Sequence, residues 1–91
     1  MANSTREIFK YNVKYYRTLK GLTQDKLSEI TGISSDYLSE IERGKKTPGF
    51  KRIELIASAL DIEVYKLFKE ILWIKKPWFY KSRFFILFIA E

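Results

Sequence analysis

Apolar residues recur at helical spacing along the first two thirds of the chain. Phe9, Val13 and Tyr16 fall at positions i, i+4 and i+7, which places them on one face of a helix. The same periodicity, divided by residues that end helices, predicts five helices at about residues 6–20, 24–31, 35–43, 51–60 and 64–71 or beyond. We therefore expect an all-α fold here, with the fourth helix contributing Ile53 and Ile56 to the core.

The boundaries of the second and third helices are marked by residues that favour helix ends. Thr23 and Ser34 precede them, and hydroxyl side chains at such N-cap positions accept hydrogen bonds from free backbone N–H groups. Gly32 between them tolerates the positive φ of a tight turn. This arrangement predicts a helix-turn-helix. Beyond it, Phe50 is expected to anchor the far end of a loop rigidified by Pro48.

The last third of the chain has a different pattern. Residues 73–91 contain seven aromatic side chains and four cations, and Pro77 interrupts any helix through them. The apolar run 84–90 is only seven residues long, far short of the roughly 18 needed to span a membrane. Periodicity cannot decide between strand and helix at 84–89, although its aromatic and β-branched content favours a strand. We divide the chain into a domain, 1–70, and a C-terminal extension, 71–91.

Composition and charge narrow the function. The chain has no cysteine and no histidine, which excludes disulfides, thiolate metal sites and imidazole chemistry. With no glycine-rich phosphate loop either, we expect a non-enzyme without cofactor or metal. A reducing compartment fits the absence of cysteine, and no secretory signal is visible, so we expect a cytoplasmic protein. The net charge is +6, and residues 43–52 carry five basic side chains and no acid, which favours an anionic partner such as nucleic acid.

Short motifs follow one another between residues 13 and 68, among them Gly21-Leu22-Thr23-Gln24, Gly32-Ile33-Ser34, Tyr37-Leu38-Ser39, Ile41-Glu42-Arg43-Gly44 and Leu55-Ile56-Ala57-Ser58-Ala59-Leu60. In order and spacing the chain resembles the Cro/CI-type helix-turn-helix family, also called the xenobiotic response element family. The resemblance implies a five-helix, lambda-repressor-like domain. It also implies sequence-specific binding to double-stranded DNA, usually as a dimer on a two-fold-related site.

The resemblance assigns roles to residues of this motif. Ser35, Asp36 and Glu40 occupy outward positions that read bases in the family, and carboxylates can accept from the cytosine N4 amino group. Two alternatives remain: Asp36 can stabilise the helix dipole, and Glu40 can form a salt bridge with a nearby cation such as Arg43. The predicted DNA-binding residues are Thr23, Gln24, Ser34, Ser35, Asp36, Tyr37, Ser39, Glu40, Arg43, Lys45 and Lys46.

Two further residues are predicted to act structurally. By resemblance, Arg17 and Glu42 form a partly buried ion pair that joins the first helix to the third. Gln24 combines both kinds of role, because it lies at a helix N-terminus, where free N–H groups favour a phosphate, and can also brace the third helix.

The leading hypothesis is a dimeric transcriptional repressor that acts by occupying its operator. The alternative is a protein-interaction module, such as an antitoxin, whose tail binds a partner protein. Attachment to a membrane surface is a weaker option, suggested by alternating aromatic residues and lysines at 73–83. The predicted dimerisation residues are Phe68, Leu72, Trp73, Trp78, Phe84, Phe85 and Phe88.

Overall fold

The computed structural model describes residues 4–70, which fold as a small helical domain. Its α-helices are α1 (Thr5–Leu19), α2 (Gln24–Thr31), α3 (Ser35–Glu42) and α4 (Phe50–Ala59), followed by a 3₁₀ helix, Val64–Phe68. No strand occurs within 4–70, so the all-α prediction is confirmed for this range. The predicted strand at 84–89 and the extension 71–91 lie outside the described residues.

The core lies where these helices meet. The helix α1 packs on the 3₁₀ helix and on α3, while α2 packs on α3 and α4. The apolar face predicted for the first helix is buried at Phe9 and Val13 and half-buried at Tyr16. Ile53 and Ile56 of α4 are also buried, as expected. The remaining buried apolar side chains are Tyr15, Leu27, Ile33, Leu38, Ile41, Ala57, Leu60 and Leu67.

Hydroxyl caps and a glycine define α2 and α3. Thr23 Oγ1 accepts a hydrogen bond from the Lys26 backbone N–H at 3.0 Å, and Ser34 Oγ accepts one from the Tyr37 N–H at 3.1 Å. Both bonds satisfy donors that the first turn of a helix leaves free. Gly32 follows α2 with φ of 79°, a left-handed conformation that glycine adopts without steric cost. The predicted bounds of α2 are therefore confirmed.

The end of α4 uses a residue that is less suited to its conformation. Asp61 has φ of 58°. Its N–H donates to the Ser58 carbonyl and the N–H of Ile62 donates to the Ala57 carbonyl, both at 3.0 Å. These two bonds form a Schellman motif, which satisfies carbonyls at the end of the helix. Asp61 thus occupies the position at which glycine is commonest.

The predicted fifth α-helix, 64–71 or beyond, is wrong within the described residues. A 3₁₀ helix ends at Phe68, and Lys69 is extended, with φ of −92° and ψ of 123°. The reason is Asn12 of α1, whose side-chain amide donates to the carbonyls of Lys66, Leu67 and Lys69 at 3.2, 2.9 and 2.8 Å. An α-helix continuing through residue 71 would direct the first two carbonyls to N–H groups of its own next turn.

The expectation that Phe50 anchors the loop is also wrong, because its side chain is 86% exposed. Phe50 is the first residue of α4, and the buried face of that helix begins at Ile53. Pro48, which is buried, holds this end of the loop against the domain instead.

Candidate nucleic-acid interface

The angle between α2 and α3 is set by hydrogen bonds and packing within the turn. Thr31 Oγ1 donates to the Leu27 carbonyl at 2.8 Å and accepts from the Ile33 N–H at 3.1 Å. The Ile33 side chain is only 5% exposed. A threonine hydroxyl that bonds on both sides, together with a buried residue after the glycine, leaves the turn little freedom. These contacts fix the connection between α2 and α3 in this arrangement.

One face of α3 is buried and the opposite face is open to solvent. Leu38 and Ile41 are fully buried, whereas Asp36 is exposed and both Ser35 and Glu40 are half-buried. The three side chains predicted to read bases thus lie outside the core. Within residues 4–70 no cation lies within 4.0 Å of the carboxylates of Asp36 or Glu40. The carboxylates are free to accept hydrogen bonds from a ligand.

The C-terminal end of α3 is fixed by Glu42. Its Oε2 accepts from Arg17 Nε at 2.7 Å and its Oε1 from Arg17 Nη2 at 3.0 Å, which is the bidentate geometry of a strong ion pair. The Glu42 side chain is 4% exposed and that of Arg17 is 13% exposed. Arg17 Nη1 also donates to the Leu22 carbonyl at 2.6 Å. One guanidinium therefore links α1, the loop before α2, and α3.

Gln24 joins the same network from the first position of α2. Its Nε2 donates to Glu42 Oε1 at 3.2 Å, so the side chain braces α3. This bond uses one of the two donors of the amide and leaves its carbonyl oxygen without a bond to the network. Thr23, the residue before it, is exposed and caps the helix.

The predicted phosphate-contacting residues after α3 are all exposed. Arg43 folds back along α3, with its Nε donating to the Ser39 carbonyl at 3.3 Å. Lys45 and Lys46 are anchored through their backbones, since both N–H groups donate to the Glu40 carbonyl, at 2.8 and 3.3 Å. Their charged groups extend into solvent. Within residues 4–70, Glu40 forms no salt bridge with Arg43 or Lys45, contrary to one interpretation of this residue.

Ser34, Ser39 and Tyr37 complete the predicted set. Ser34 is exposed and caps α3, while Ser39 and Tyr37 are half-buried. Sequence reasoning missed one contact here: the Arg52 guanidinium lies 4.7 Å from the centre of the Tyr37 ring. It also missed Arg6, whose Nε donates to Thr47 Oγ1 at 3.1 Å. No local motif joins residues that lie this far apart in the sequence.

Of the predicted dimerisation residues, the structure describes only Phe68. Its ring stacks on Phe9 with the centroids 5.3 Å apart, and 38% of the residue remains exposed. Leu72, Trp73, Trp78, Phe84, Phe85 and Phe88 lie outside the described residues.

Residues 4–70 contain no group of three or more acidic side chains placed to hold a metal ion. None of the helices they form has both the length and the apolar character needed to cross a membrane.

The helix α3, which buries one face, follows α2 after a tight turn at Gly32, and Gln24 at the start of α2 bonds to Glu42 of α3. This arrangement defines a helix-turn-helix domain of the DNA-binding class. A family profile described as helix-turn-helix matches residues 13–67. The chain belongs to this Cro/CI-type helix-turn-helix family of DNA-binding transcriptional regulators.

The relatives carry regulatory names. The chain is 34% identical over 62 residues to the control protein C.SmaI of Serratia marcescens, covering 68% of this chain and 74% of that protein. It is 36% identical over 64 residues to the immunity repressor protein of Bacillus phage phi105, covering 70% of this chain and 44% of the phage protein. The structure is similar to that of the hypothetical transcription factor NHTF from Neisseria. That likeness has a TM-score of 0.72 at 29% identity and covers 76% and 79% of the two chains.

Proposed function

We propose that this protein represses transcription by binding, as a homodimer, to a two-fold-related DNA site in the cytoplasm. The N-terminal part of α3 enters the major groove, where Ser35, Asp36 and Glu40 face the base edges. Gln24 and Ser34 contact phosphates beside it. The cations Arg43, Lys45 and Lys46 contact further phosphates and add affinity that does not depend on the base sequence of the DNA. We assign the chain no catalytic step.

The observation that carries this proposal is the way in which α3 is held. Its buried face and its Glu42 anchor fix the helix, while the side chains at its N-terminal end remain outside the core. Gln24 is tied to the same anchor, so the phosphate-contacting end of α2 and the reading face of α3 keep a constant separation. A reading helix needs such pre-organisation, because ordering it during binding would weaken the complex.

Dimerisation is supported by apolar surface close to the point where the extension begins. Val64, Tyr65 and Phe68 of the 3₁₀ helix are 38%, 61% and 38% exposed. Surface of this kind gains stability when it is covered by a second copy. Repression follows from occupancy, since a dimer bound over a promoter excludes other proteins.

Selection of bound duplexes from a random pool, at two salt concentrations, tests the proposal. We expect enrichment of a palindrome whose half-sites are about 10 base pairs apart, centre to centre. Replacing Gln24 and Ser35 together by alanine should abolish this selection, whereas Ser58→Ala, an exposed serine of α4, should leave it intact. If the double variant selects the same sequence with unchanged affinity, the assigned docking is wrong. If the wild type enriches no sequence, a protein-interaction role becomes the better hypothesis.

The oligomeric state and the direction of regulation need separate measurements. Light scattering of the full chain at tens of micromolar should give the mass of a dimer, and a monomer would contradict dimerisation. A reporter with the selected site overlapping its promoter should lose transcription when the protein is present. Increased transcription would identify an activator instead.

A further inference from the structure

The contact between Arg52 and Tyr37 joins α4 to the reading helix. The Arg52 guanidinium carbon lies 4.7 Å from the Tyr37 ring centre, within the range of a cation–π interaction. Tyr37 is the third residue of α3 and Arg52 the third residue of α4. The contact therefore places a cation from a different helix beside the N-terminal end of α3, which is the end that approaches DNA in this class of domain.

The surroundings of Arg52 leave its charge unneutralised. The residue is exposed, and residues 4–70 offer its guanidinium no carboxylate within 4.0 Å. Together with Lys51 it lines a groove of about 350 Å³, which Gly32 and Ile33 of the turn that leads into α3 also line. Two cations thus flank the turn itself.

The contact with the Tyr37 ring occupies one side of the Arg52 guanidinium and leaves the rest of it available to a ligand. A guanidinium is planar, and its N–H donors point outward in that plane. When one face rests on an aromatic ring, the donors at its edge stay available. An edge with parallel N–H groups matches the oxygens of a phosphate, which arginine binds in bidentate fashion. The Tyr37 ring also restricts the side chain, so less freedom is lost when the phosphate is bound.

We propose that Arg52, positioned by the Tyr37 ring, binds a backbone phosphate of the DNA on the flank of α3 opposite to Ser35 and Ser39. This inference rests on the proposed function, because it adds a phosphate contact to the same complex. Two phosphate contacts made by other helices then lie on either side of α3, one from Gln24 of α2 and one from Arg52 of α4. Tyr37 acts as a positioning residue.

The salt dependence of binding to a 24-base-pair duplex of mixed sequence, and to the duplex that the wild type selects, tests this proposal. Each phosphate contact contributes about 0.9 to the slope of log affinity against log salt. Arg52→Gln should lower the slope by about 0.9 for each bound protomer. When one contact is lost, the factor by which affinity falls between 50 and 200 mM salt should be about 3.5-fold smaller than for the wild type. Arg52→Lys should keep the slope, and Lys69→Gln, an exposed cation after the 3₁₀ helix, should behave as the wild type.

A double-mutant cycle tests the positioning role. Tyr37→Leu should weaken binding about two- to fivefold with Arg52 present and have no further effect in the Arg52→Gln background. Tyr37→Phe, which keeps the ring, should keep the coupling. Urea denaturation establishes that every variant compared is folded at the assay temperature.

The outcomes separate the two proposals. If the wild type binds neither duplex, the proposed function fails, and this inference with it. If the wild type binds but Arg52→Gln has an unchanged slope, the stack is a structural link between α3 and α4 and the phosphate contact is refuted alone. If Tyr37→Leu costs the same affinity with and without Arg52, the ring does not position the guanidinium.

Discussion

Arg17→Met removes the cation that neutralises a buried carboxylate. Glu42 is 4% exposed at its side chain, and the substitution leaves it with one hydrogen bond, from Gln24. Stranding a buried charge in this way costs about 3–5 kcal/mol. We expect a value near 3 kcal/mol, because Gln24 remains and the shape of the arginine stem is partly kept by methionine. A domain of this size has a total free energy of unfolding of about 5–10 kcal/mol, so a large share would be lost.

Urea denaturation followed by circular dichroism at 25 °C measures this effect directly. The matched control is Lys20→Met, which breaks the exposed pair with Asp61, where the two side chains are 44% and 90% exposed and the atoms 3.8 Å apart. That variant should lose less than about 0.5 kcal/mol. A loss below about 1 kcal/mol for Arg17→Met would refute the reasoning.

The double variant Arg17→Met, Glu42→Met separates the lost pair from the stranded charge. With both ionic groups absent, nothing charged remains buried, and the double variant should be more stable than Arg17→Met alone. If the free energy lost by the double variant equals the sum of the losses of Arg17→Met and Glu42→Met, the cost comes from the packing of each side chain.

Three further predictions concern the same domain. Asn12→Ala should destabilise it by about 2–3 kcal/mol in urea denaturation, since three carbonyls lose their donor; a loss below 0.5 kcal/mol would show that the cap is dispensable. Asp61→Gly should stabilise it by about 0.5–1 kcal/mol and raise Tm by about 4 °C, because φ of 58° suits glycine; a lower Tm would contradict this. Burial, and secondarily Tyr16, raises the pKa of Tyr15 to about 12 from 10.0. The stability this group contributes is therefore complete below pH 10 and falls from pH 10 to 12, by up to about 1.4 kcal/mol per pH unit. Tyr15→Phe should reduce the fall of the urea midpoint with pH between pH 10 and 12.

The elements predicted most accurately are those with local signals. The bounds of α2 follow from Thr23 and Gly32, which mark its ends within the segment itself, and Ser34 marks the start of α3 in the same way. Hydroxyl caps and a glycine act on backbone groups only a few residues away, so the sequence of the segment is enough to predict their effect.

The features that escaped prediction depend on residues far apart in the chain. Asn12 lies 54 to 57 positions before the carbonyls to which it donates, and nothing in residues 64–71 indicates that their helix must tighten and end. Phe50 is expected from the sequence to anchor the loop that precedes α4, but its side chain at the first position of that helix is exposed. The contact between Tyr37 and Arg52 likewise requires the relative placement of α3 and α4 to be known.

The candidate site departs from this division, because family resemblance supplied contacts between residues far apart in the chain. The Arg17–Glu42 pair was expected from family resemblance, and the structure contains it with bidentate geometry. The link from Gln24 to Glu42 was suggested as a brace and is present.

The anchoring of α3 by Glu42, at its C-terminal end, has an evolutionary consequence. The side chains that hold the helix and those that face outward occupy different positions, so substitutions at Ser35 or Asp36 alter the surface without touching the anchor. Under the proposed function, descendants of one ancestral domain can therefore acquire new operators through substitutions at a few outward positions while inheriting an unaltered scaffold. Divergence of specificity in such a lineage requires no compensating change in the core.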